Sequence, residues 1–221
     1  MKKVIITGST GMIGKGVLIE CLESEQIDKV LVLNRSSVEV AHPKIRVIIH
    51  RDFLNFETIK EDLSTYDACF FCLGVSSIGM NEKDYTKITY SITKALADTL
   101  YELNPDLVFN YVSGQGTDSS EKGNLMWARV KGKTENMILN KGFKDAYAFR
   151  IGAVLPVKGV RSKTGWVNAI YFIFKPLLPI LKKPFSIIES SEVGQAMINT
   201  LFHSTDSKIL DNNAIKVLTM R

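Results

Sequence analysis

The chain has 221 residues, of which 45% are hydrophobic, so it can bury the core of one large domain and is not an extensively disordered protein. Its formal net charge is +5 without a long run of basic residues, and we therefore expect no nucleic-acid partner. Three cysteines are too few for a disulfide framework and fit a reducing compartment. Because a short apolar run and a glycine turn follow Met1 instead of a signal peptide, we predict a cytoplasmic protein.

Apolar runs typical of buried strands alternate with segments of helical periodicity up to residue 151. The predicted strands are residues 3–7, 29–34, 45–49, 67–73, 106–112 and 145–151. The predicted helices between most of these strands are residues 12–24, 55–63, 82–103 and 122–141. This alternation predicts an α/β fold with a doubly wound, mostly parallel sheet that helices cover on both faces.

The sequence CFFC in the fourth predicted strand has the spacing of a redox or zinc motif. Residues three apart on a strand point to opposite faces of the sheet, so Cys69 and Cys72 cannot act together there. We interpret both as buried structural thiols and predict no metal site.

The apolar stretch at residues 166–183 allows three interpretations. We expect a lid over the substrate or a core segment first, a subunit contact second and an interfacial membrane patch third. Lys175, Pro176 and Pro179 interrupt the stretch, and its unbroken parts are shorter than the roughly 20 residues of a spanning helix. We therefore expect no membrane partner.

The last part of the chain carries weaker patterns. Residues 190–202 predict a helix with Ser190 or Ser191 as its N-cap, and residues 208–210 and 215–218 are interpreted as an edge strand. We treat residues 1–221 as a single domain in which residues 152–221 form a small C-terminal extension on the substrate side. We expect a monomer or a homodimer.

The strongest functional signal is the sequence VIITGSTGMIGKG, in which three glycines lie between the first predicted strand and the first predicted helix. This context is typical of a dinucleotide-binding turn. Gly8 permits the tight turn, Gly11 lets the backbone approach the pyrophosphate, and Gly14 lets the helix pack closely on the strand. We assign the phosphates of the cofactor to Gly8, Ser9, Thr10, Gly11, Met12, Ile13 and Gly14.

The second predicted strand ends in LNRSS, where a site that prefers NAD(H) carries an acidic residue. Asn34, Arg35 and Ser36 suit a 2′-phosphate instead, with Arg35 as a charged fork and Ser36 as a donor. We therefore predict that NADP(H) is preferred and that NAD(H) is the weaker ligand. After the third strand, Asp52 and Phe53 are placed to flank the adenine, although an ordinary polar loop explains them almost equally well.

The order of these motifs, followed by CLG after the fourth strand, Ser113 after the fifth and Lys131 beyond it, resembles the short-chain dehydrogenase/reductase superfamily. The resemblance is closer to its atypical and extended branches, which include epimerase-like and HTATIP2-like proteins. It covers the chain from Lys2 to about Gly152. It implies a Rossmann fold, an NAD(P) cofactor, and cofactor contacts by Leu73 and Gly74.

In that superfamily a serine, a tyrosine and a lysine work together on the substrate oxygen. The resemblance assigns the serine to Ser113 and the lysine, which also binds the nicotinamide ribose, to Lys131. Trp127 occupies the tyrosine position of the Tyr-x-x-x-Lys pattern and, by the resemblance, lies in the substrate pocket with Val75 and Ser76. An indole N–H cannot shuttle a proton as a phenol does.

A second departure from the pattern is Thr89, where many relatives have an asparagine that supports the proton relay. Tyr85, Tyr90 and Tyr111 are open as displaced proton donors, and nothing in their spacing favours one of them.

Two functions follow from this sequence. The first is an NADP(H)-dependent oxidoreductase or epimerase-like enzyme that acts on a small carbonyl or hydroxyl substrate with an unusual proton donor. The alternative is a catalytically weak NADP(H)-binding protein with a regulatory or redox-sensing role. Ser113 and Lys131 favour the enzyme, whereas Trp127 and Thr89 favour the alternative.

Overall fold

The main sheet of the computed structural model has seven parallel strands in the order β3-β2-β1-β4-β5-β6-β9, and the structure describes residues 1–38, 40–157 and 187–220. These strands are β1 (Lys2–Thr7), β2 (Ile27–Asn34), β3 (Ile45–Ile49), β4 (Ala68–Phe71), β5 (Val108–Gly114), β6 (Asp145–Ile151) and β9 (Ile209–Asp211). A second, two-stranded sheet pairs β7 (Val154–Leu155) with β8 (Ile188–Glu189). The predicted doubly wound α/β fold is confirmed.

The helices lie on both faces of the main sheet. They are α1 (Met12–Glu23), α2 (Glu82–Thr86), α3 (Ile92–Leu103), α4 (Met126–Leu139), α5 (Ser190–Asn199) and α6 (Asn212–Thr219). One core cluster joins one face of the strands to α1, α5 and α6, and a second joins the other face to α3 and α4. Ile5 belongs to one cluster and Ile6 to the other, because successive strand residues face opposite sides.

The two cysteines of CFFC follow the same rule. Cys69 lies in the core cluster on the α3 and α4 side, whereas Cys72 packs against the cluster on the other side. Both are free thiols, as is the buried Cys21. The described residues contain no group of three side chains suited to a metal ion.

The predicted helix at 82–103 is interrupted rather than regular. A π-helical turn, Lys87–Ser91, separates α2 from α3 and contains the buried Thr89. Such turns often occur near functional sites. The Thr93 hydroxyl donates to the Thr89 carbonyl at 2.5 Å, which satisfies one acceptor of this turn.

The structure corrects three predictions of secondary structure. Residues 55–63 form two 3-10 turns, Glu57–Ile59 and Glu61–Leu63, instead of one helix. Residues 215–218 belong to α6, where Ile215 and Leu218 reach the core from one helix face, and not to an edge strand.

The third correction concerns the start of α5. Its N-cap is Glu189, which forms a capping box with Glu192, so neither Ser190 nor Ser191 caps the helix. The predicted lid segment at 166–183 lies outside the described residues. Within the part of the chain that is described, no helix is both long and apolar enough to cross a membrane.

Candidate functional site

A cleft opens at the carboxyl ends of β1 and β4, where the strand order reverses and where open α/β sheets bind their ligands. Its volume is about 230 Å³. The glycine turn, the end of β2 and the loop after β4 meet here although they are distant in sequence. The cleft is lined by Gly8, Thr10, Gly11, Asn34, Arg35, Ser36, Cys72, Leu73 and Gly74.

Two glycines of the turn are required by the fold itself. Gly8 has a φ of +68°, and a Cβ there would lie 2.6 Å from the Cys72 carbonyl oxygen. A Cβ on Gly14 would lie 2.3 Å from the Gly8 carbonyl oxygen. The sequence therefore needs glycine at both positions to bring β1, α1 and β4 together.

Gly11 differs from the other two because the fold leaves room beside it. Its φ is −82°, and a Cβ would meet the Gly8 carbonyl oxygen at 3.3 Å. Gly11 is the N-cap of α1, so the first-turn N–H groups start beside the cleft with their positive dipole end. A side chain at this position would project where an anion approaches the helix, which fits the pyrophosphate of a dinucleotide.

The remaining residues of the turn have mixed surroundings. The Asn34 amide donates to the Ser9 hydroxyl at 2.7 Å, and both side chains are buried. This hydrogen bond connects the end of β2 to the glycine turn. It uses the amide nitrogen of Asn34, the side chain that we predicted to contact the 2′-phosphate. Thr10 is exposed, Met12 is half-buried, and Ile13 packs against the core.

Arg35 and Ser36 are both exposed at the end of β2. Among the residues that the structure describes, Arg35 has no ion-pair partner. Its guanidinium is therefore available to an anionic ligand in the cleft.

The structure departs from the adenine hypothesis at Phe53. Its side chain is 3% exposed and packs edge-on against Phe56 at a centroid distance of 5.7 Å. The ring is held in the core and is not free to stack on an adenine, so a contact between Phe53 and the adenine stays a prediction. Asp52 is exposed, and its carboxylate accepts from the Leu54 N–H at 3.0 Å as in an ordinary turn.

The loop after β4 borders the cleft. Leu73 and Gly74 line it, and Cys72 contributes its backbone beside Gly8. Val75 and Ser76 follow and are exposed, and Ser76 accepts from the Ile78 N–H at 3.3 Å. Their place in a substrate pocket stays a prediction.

Trp127 and Lys131 lie on one face of α4. This face contacts the end of β5 and the loop that follows it. A Cβ on Gly114 would lie 3.9 Å from Trp127 Cζ3 and 4.0 Å from Lys131 Cδ. A Cβ on Gly116, whose φ is +88°, would lie 3.3 Å from Trp127 Cη2. The indole therefore packs against Gly114 and Gly116, and larger side chains at these two positions would crowd it.

Ser113, near the end of β5, is 5% exposed. Its hydroxyl lies 3.0 Å from the Thr117 hydroxyl, which itself donates to the Gly114 carbonyl at 2.7 Å. Since a hydroxyl has one proton, Ser113 is the donor in the first bond. Its lone pairs are left to accept a bond from a ligand.

Lys131 is partly buried, and its environment weakens its charge. Burial lowers the pKa of its ammonium to about 8, and the Glu135 carboxylate acts in the opposite direction. The Nζ atom lies 5.5 Å from the centroid of the Tyr111 ring, over its face.

Two of the three tyrosines that were open as proton donors, Tyr85 and Tyr111, are poorly suited to that role. Tyr85 and Tyr111 are 2% and 1% exposed, and burial raises the pKa of both phenols. Tyr90 is half-buried, with Lys133 Nζ over its ring at 4.8 Å.

Sequence reasoning missed a buried ion pair beneath this site. Glu135 of α4 is 0% exposed and pairs with Arg150 of β6 at 2.6 Å. The spacing of Lys131 and Glu135 was a signal, because residues four apart on a helix share a face. Its partner on a distant strand had no local signal.

Comparison with known proteins identifies the family of this chain. A sequence model of the NAD dependent epimerase/dehydratase family matches residues 4–135, which include the glycine turn, Ser113 and Lys131. The chain belongs to this family. The sequence-based recognition and the Rossmann fold are thus confirmed.

Two curated relatives extend the likeness beyond the family match. Protein HTATIP2 of Rattus norvegicus is 24% identical over 219 residues, which cover 97% of this chain and 88% of the relative. The mitochondrial protein FMP52 of Debaryomyces hansenii is 28% identical over 169 residues, which cover 75% of this chain and 72% of the relative.

Solved structures share the fold. The enzyme WbmF of Bordetella bronchiseptica, in complex with NAD+, aligns with a TM-score of 0.71 and 17% identity over 99% of this chain and 76% of that chain. UDP-glucose 4-epimerase of Thermotoga maritima, with UDP-glucose, aligns with a TM-score of 0.70 and 13% identity over 99% and 82%.

Proposed function

We propose that this chain is an oxidoreductase or epimerase-like enzyme that binds NADP(H) in the cleft and acts on a small carbonyl or hydroxyl substrate. The observation that carries the proposal is that the Gly11 turn meets Arg35 in one cleft, and that Arg35 has no ion-pair partner among the described residues. The turn suits a pyrophosphate, and Arg35 suits a further phosphate. When bound, the cofactor would supply or accept a hydride.

The preference for NADP(H) follows from the end of β2. Asn34 is bonded to Ser9, so Arg35 and Ser36 are the groups that would meet a 2′-phosphate. No acidic residue stands at this strand end to hold ribose hydroxyls. WbmF, which shares the fold, is in complex with NAD+, so the preference for NADP(H) is proposed for this chain alone.

We expect NADPH to bind about ten- to hundred-fold more tightly than NADH, because a charge-assisted contact with phosphate contributes about 1.5–3 kcal/mol. Titration calorimetry with both reduced cofactors measures the difference. Arg35→Ala should remove most of it. The control is Arg46→Ala, which lies near the start of the adjacent strand β3, away from the carboxyl ends of the strands, and pairs with Asp62. Equal affinities, or no effect of Arg35→Ala, would contradict the prediction.

The catalytic side of the proposal rests on Ser113, Trp127 and Lys131. Lys131 would hold the nicotinamide ribose, Ser113 would contact the substrate oxygen, and Trp127 would form an apolar wall in place of the usual tyrosine. An indole donates a hydrogen bond but does not transfer a proton near neutral pH. Water or the substrate itself would then complete the proton transfer.

The second candidate function is a weakly catalytic NADP(H)-binding protein with a regulatory or redox-sensing role. Two observations favour it: the indole stands one turn before Lys131, and the Ser113 proton is donated to Thr117. NADPH oxidation across a panel of aldehydes and ketones separates the two functions. Turnover with any member above the rate without substrate favours the enzyme, and tight binding without turnover favours the alternative.

The pKa of Lys131 leads to a further expected result. Its ammonium is the form that bonds to ribose hydroxyls, and it is lost as the pH rises through about 8. NADPH affinity should therefore decrease slightly between pH 7 and pH 7.5 and more steeply above pH 8. Fluorescence titration between pH 7 and pH 9.5 measures this, and Lys131→Ala should abolish the decrease.

Cys72 also lines the cleft, but burial raises the pKa of its thiol, so it stays protonated.

The cellular context remains part of the proposal. We propose a cytoplasmic monomer or homodimer without a nucleic-acid or membrane partner. The relative FMP52 is a mitochondrial protein, so imaging of the tagged chain is the direct test.

A further inference from the structure

A fully buried carboxylate lies one helical turn after Lys131. Glu135 is 0% exposed and stands four residues further along α4. A lysine and a glutamate at this spacing commonly pair on a helix. Within the described ranges they do not: Glu135 pairs with Arg150, and no carboxylate lies within ion-pair distance of Lys131.

The Arg150 side chain occupies both oxygens of that carboxylate. Its Nε atom lies 3.1 Å from Oε1 and 3.1 Å from Oε2 of Glu135, and its Nη2 atom lies 2.6 Å from Oε2. The same guanidinium donates to the Ser119 hydroxyl in the loop before α4. A two-pronged pair of this kind fixes both partners in position and neutralises the buried charge.

The pair lies directly beside the candidate catalytic residues. Arg150 is the in-register neighbour of Ser113 across β5 and β6. Registered neighbours on adjacent strands project from the same face of a sheet, so Arg150 and Ser113 both face α4. The ion pair thus joins the strand next to Ser113 to the helix that carries Lys131.

We propose that Arg150 is a positioning residue that keeps Lys131 available to the cofactor by occupying Glu135. This inference rests on the proposed function, in which Lys131 binds the nicotinamide ribose. Lys131 Nζ now lies over the face of Tyr111 at 5.5 Å, a weak contact that a ribose can replace. Without Arg150, Glu135 would be an unpaired buried charge, and Lys131 on the same helix face is the cation that would satisfy it.

Arg150→Met tests this directly, because methionine fills similar space without a charge. We expect the Kd for NADPH to rise about ten-fold or more, since Lys131 would turn to Glu135. The double variant Arg150→Met/Glu135→Gln should recover the native Kd to within about three-fold, because no carboxylate is left to compete. A merely structural ion pair predicts instead that the loss and recovery of NADPH affinity follow the loss and recovery of thermal stability.

Two further measurements test whether Arg150 affects NADPH affinity through Lys131. In a Lys131→Ala background, Arg150→Met should produce no additional loss of NADPH affinity. The control is Arg129→Met, which removes another arginine of α4 whose partner is Glu82 at 2.7 Å, and it should leave the Kd unchanged. Circular dichroism and thermal unfolding establish that each variant is folded.

A native Kd in folded Arg150→Met, or a double variant no better than the single one, would overturn the inference. If Arg150→Met does not fold, Glu135→Gln decides: we expect a Kd within about three-fold of native, and a ten-fold loss would show that the carboxylate itself is needed. A native protein that does not bind NADPH refutes the proposed function. Native binding with unaffected variants refutes this inference alone.

Discussion

Gly11→Val is expected to abolish cofactor binding while the protein remains folded. The φ of −82° at Gly11 suits any residue, and a Cβ would meet nothing closer than the Gly8 carbonyl oxygen at 3.3 Å. A branched side chain would instead occupy the space in front of the first turn of α1, where we propose that the pyrophosphate binds. We expect NADPH affinity to decrease at least about hundred-fold, or about 2.8 kcal/mol.

Calorimetric titration and thermal unfolding of the same samples measure the two parts of this prediction. Gly11→Ala is the matched variant, and its smaller side chain should give a smaller loss. Gly8 and Gly14 are unsuitable for this test, because a Cβ at either would collide with backbone atoms at 2.6 Å or less. Normal NADPH binding by folded Gly11→Val would show that the cofactor site lies elsewhere.

Trp127→Tyr is expected to raise the turnover of simple ketones or aldehydes. General acid catalysis contributes about 10²- to 10⁴-fold, so the native protein without a phenol at this position should be slow. A tyrosine would lie one turn before Lys131, whose positive charge would stabilise the phenolate and lower the pKa of the phenol. We expect an increase of about hundred-fold in NADPH oxidation.

Steady-state NADPH oxidation by the native protein and four variants tests this idea. Trp127→Phe is the matched control, because it has an aromatic ring but no hydroxyl and should not gain activity. Trp127→Ala should leave NADPH binding nearly unchanged, and Lys131→Ala should weaken it. Brisk native turnover that collapses in Trp127→Tyr would show that the indole belongs to a working mechanism.

The architecture was readable from the sequence because its signals are local. Continuous apolar runs predicted the buried parallel strands, and the segment at 145–151 agrees with β6 residue by residue. The glycine turn was equally readable, since Gly8 and Gly14 are imposed by contacts close in the chain and by one neighbouring strand. The i, i+4 spacing of Trp127 and Lys131 correctly placed both on one face of α4.

The errors arose where long-range packing decides the outcome. Phe53 follows β3, and its ring packs into the core cluster on the α3 and α4 side, which no local signal indicated. Residues 215–218 alternate weakly in hydrophobicity, and α6 forms because Ile215 and Leu218 both find the core beside α5. The cofactor contact predicted for Asn34 stays a prediction: Asn34 lines the cleft, and its amide also bonds to Ser9, which is 25 residues earlier in the chain.

The sequence by itself determined the order of strands β1 to β6, the glycine turn and the presence of Trp127 one helical turn before Lys131. Periodicity and spacing carry this information, because each depends on neighbours within a few turns. Only the tertiary structure decided that Arg35 is unpaired within the described residues and that Glu135 is held by Arg150. Both depend on which charges distant segments bring together, and a buried carboxylate can tolerate its position only when the folded chain supplies its partner.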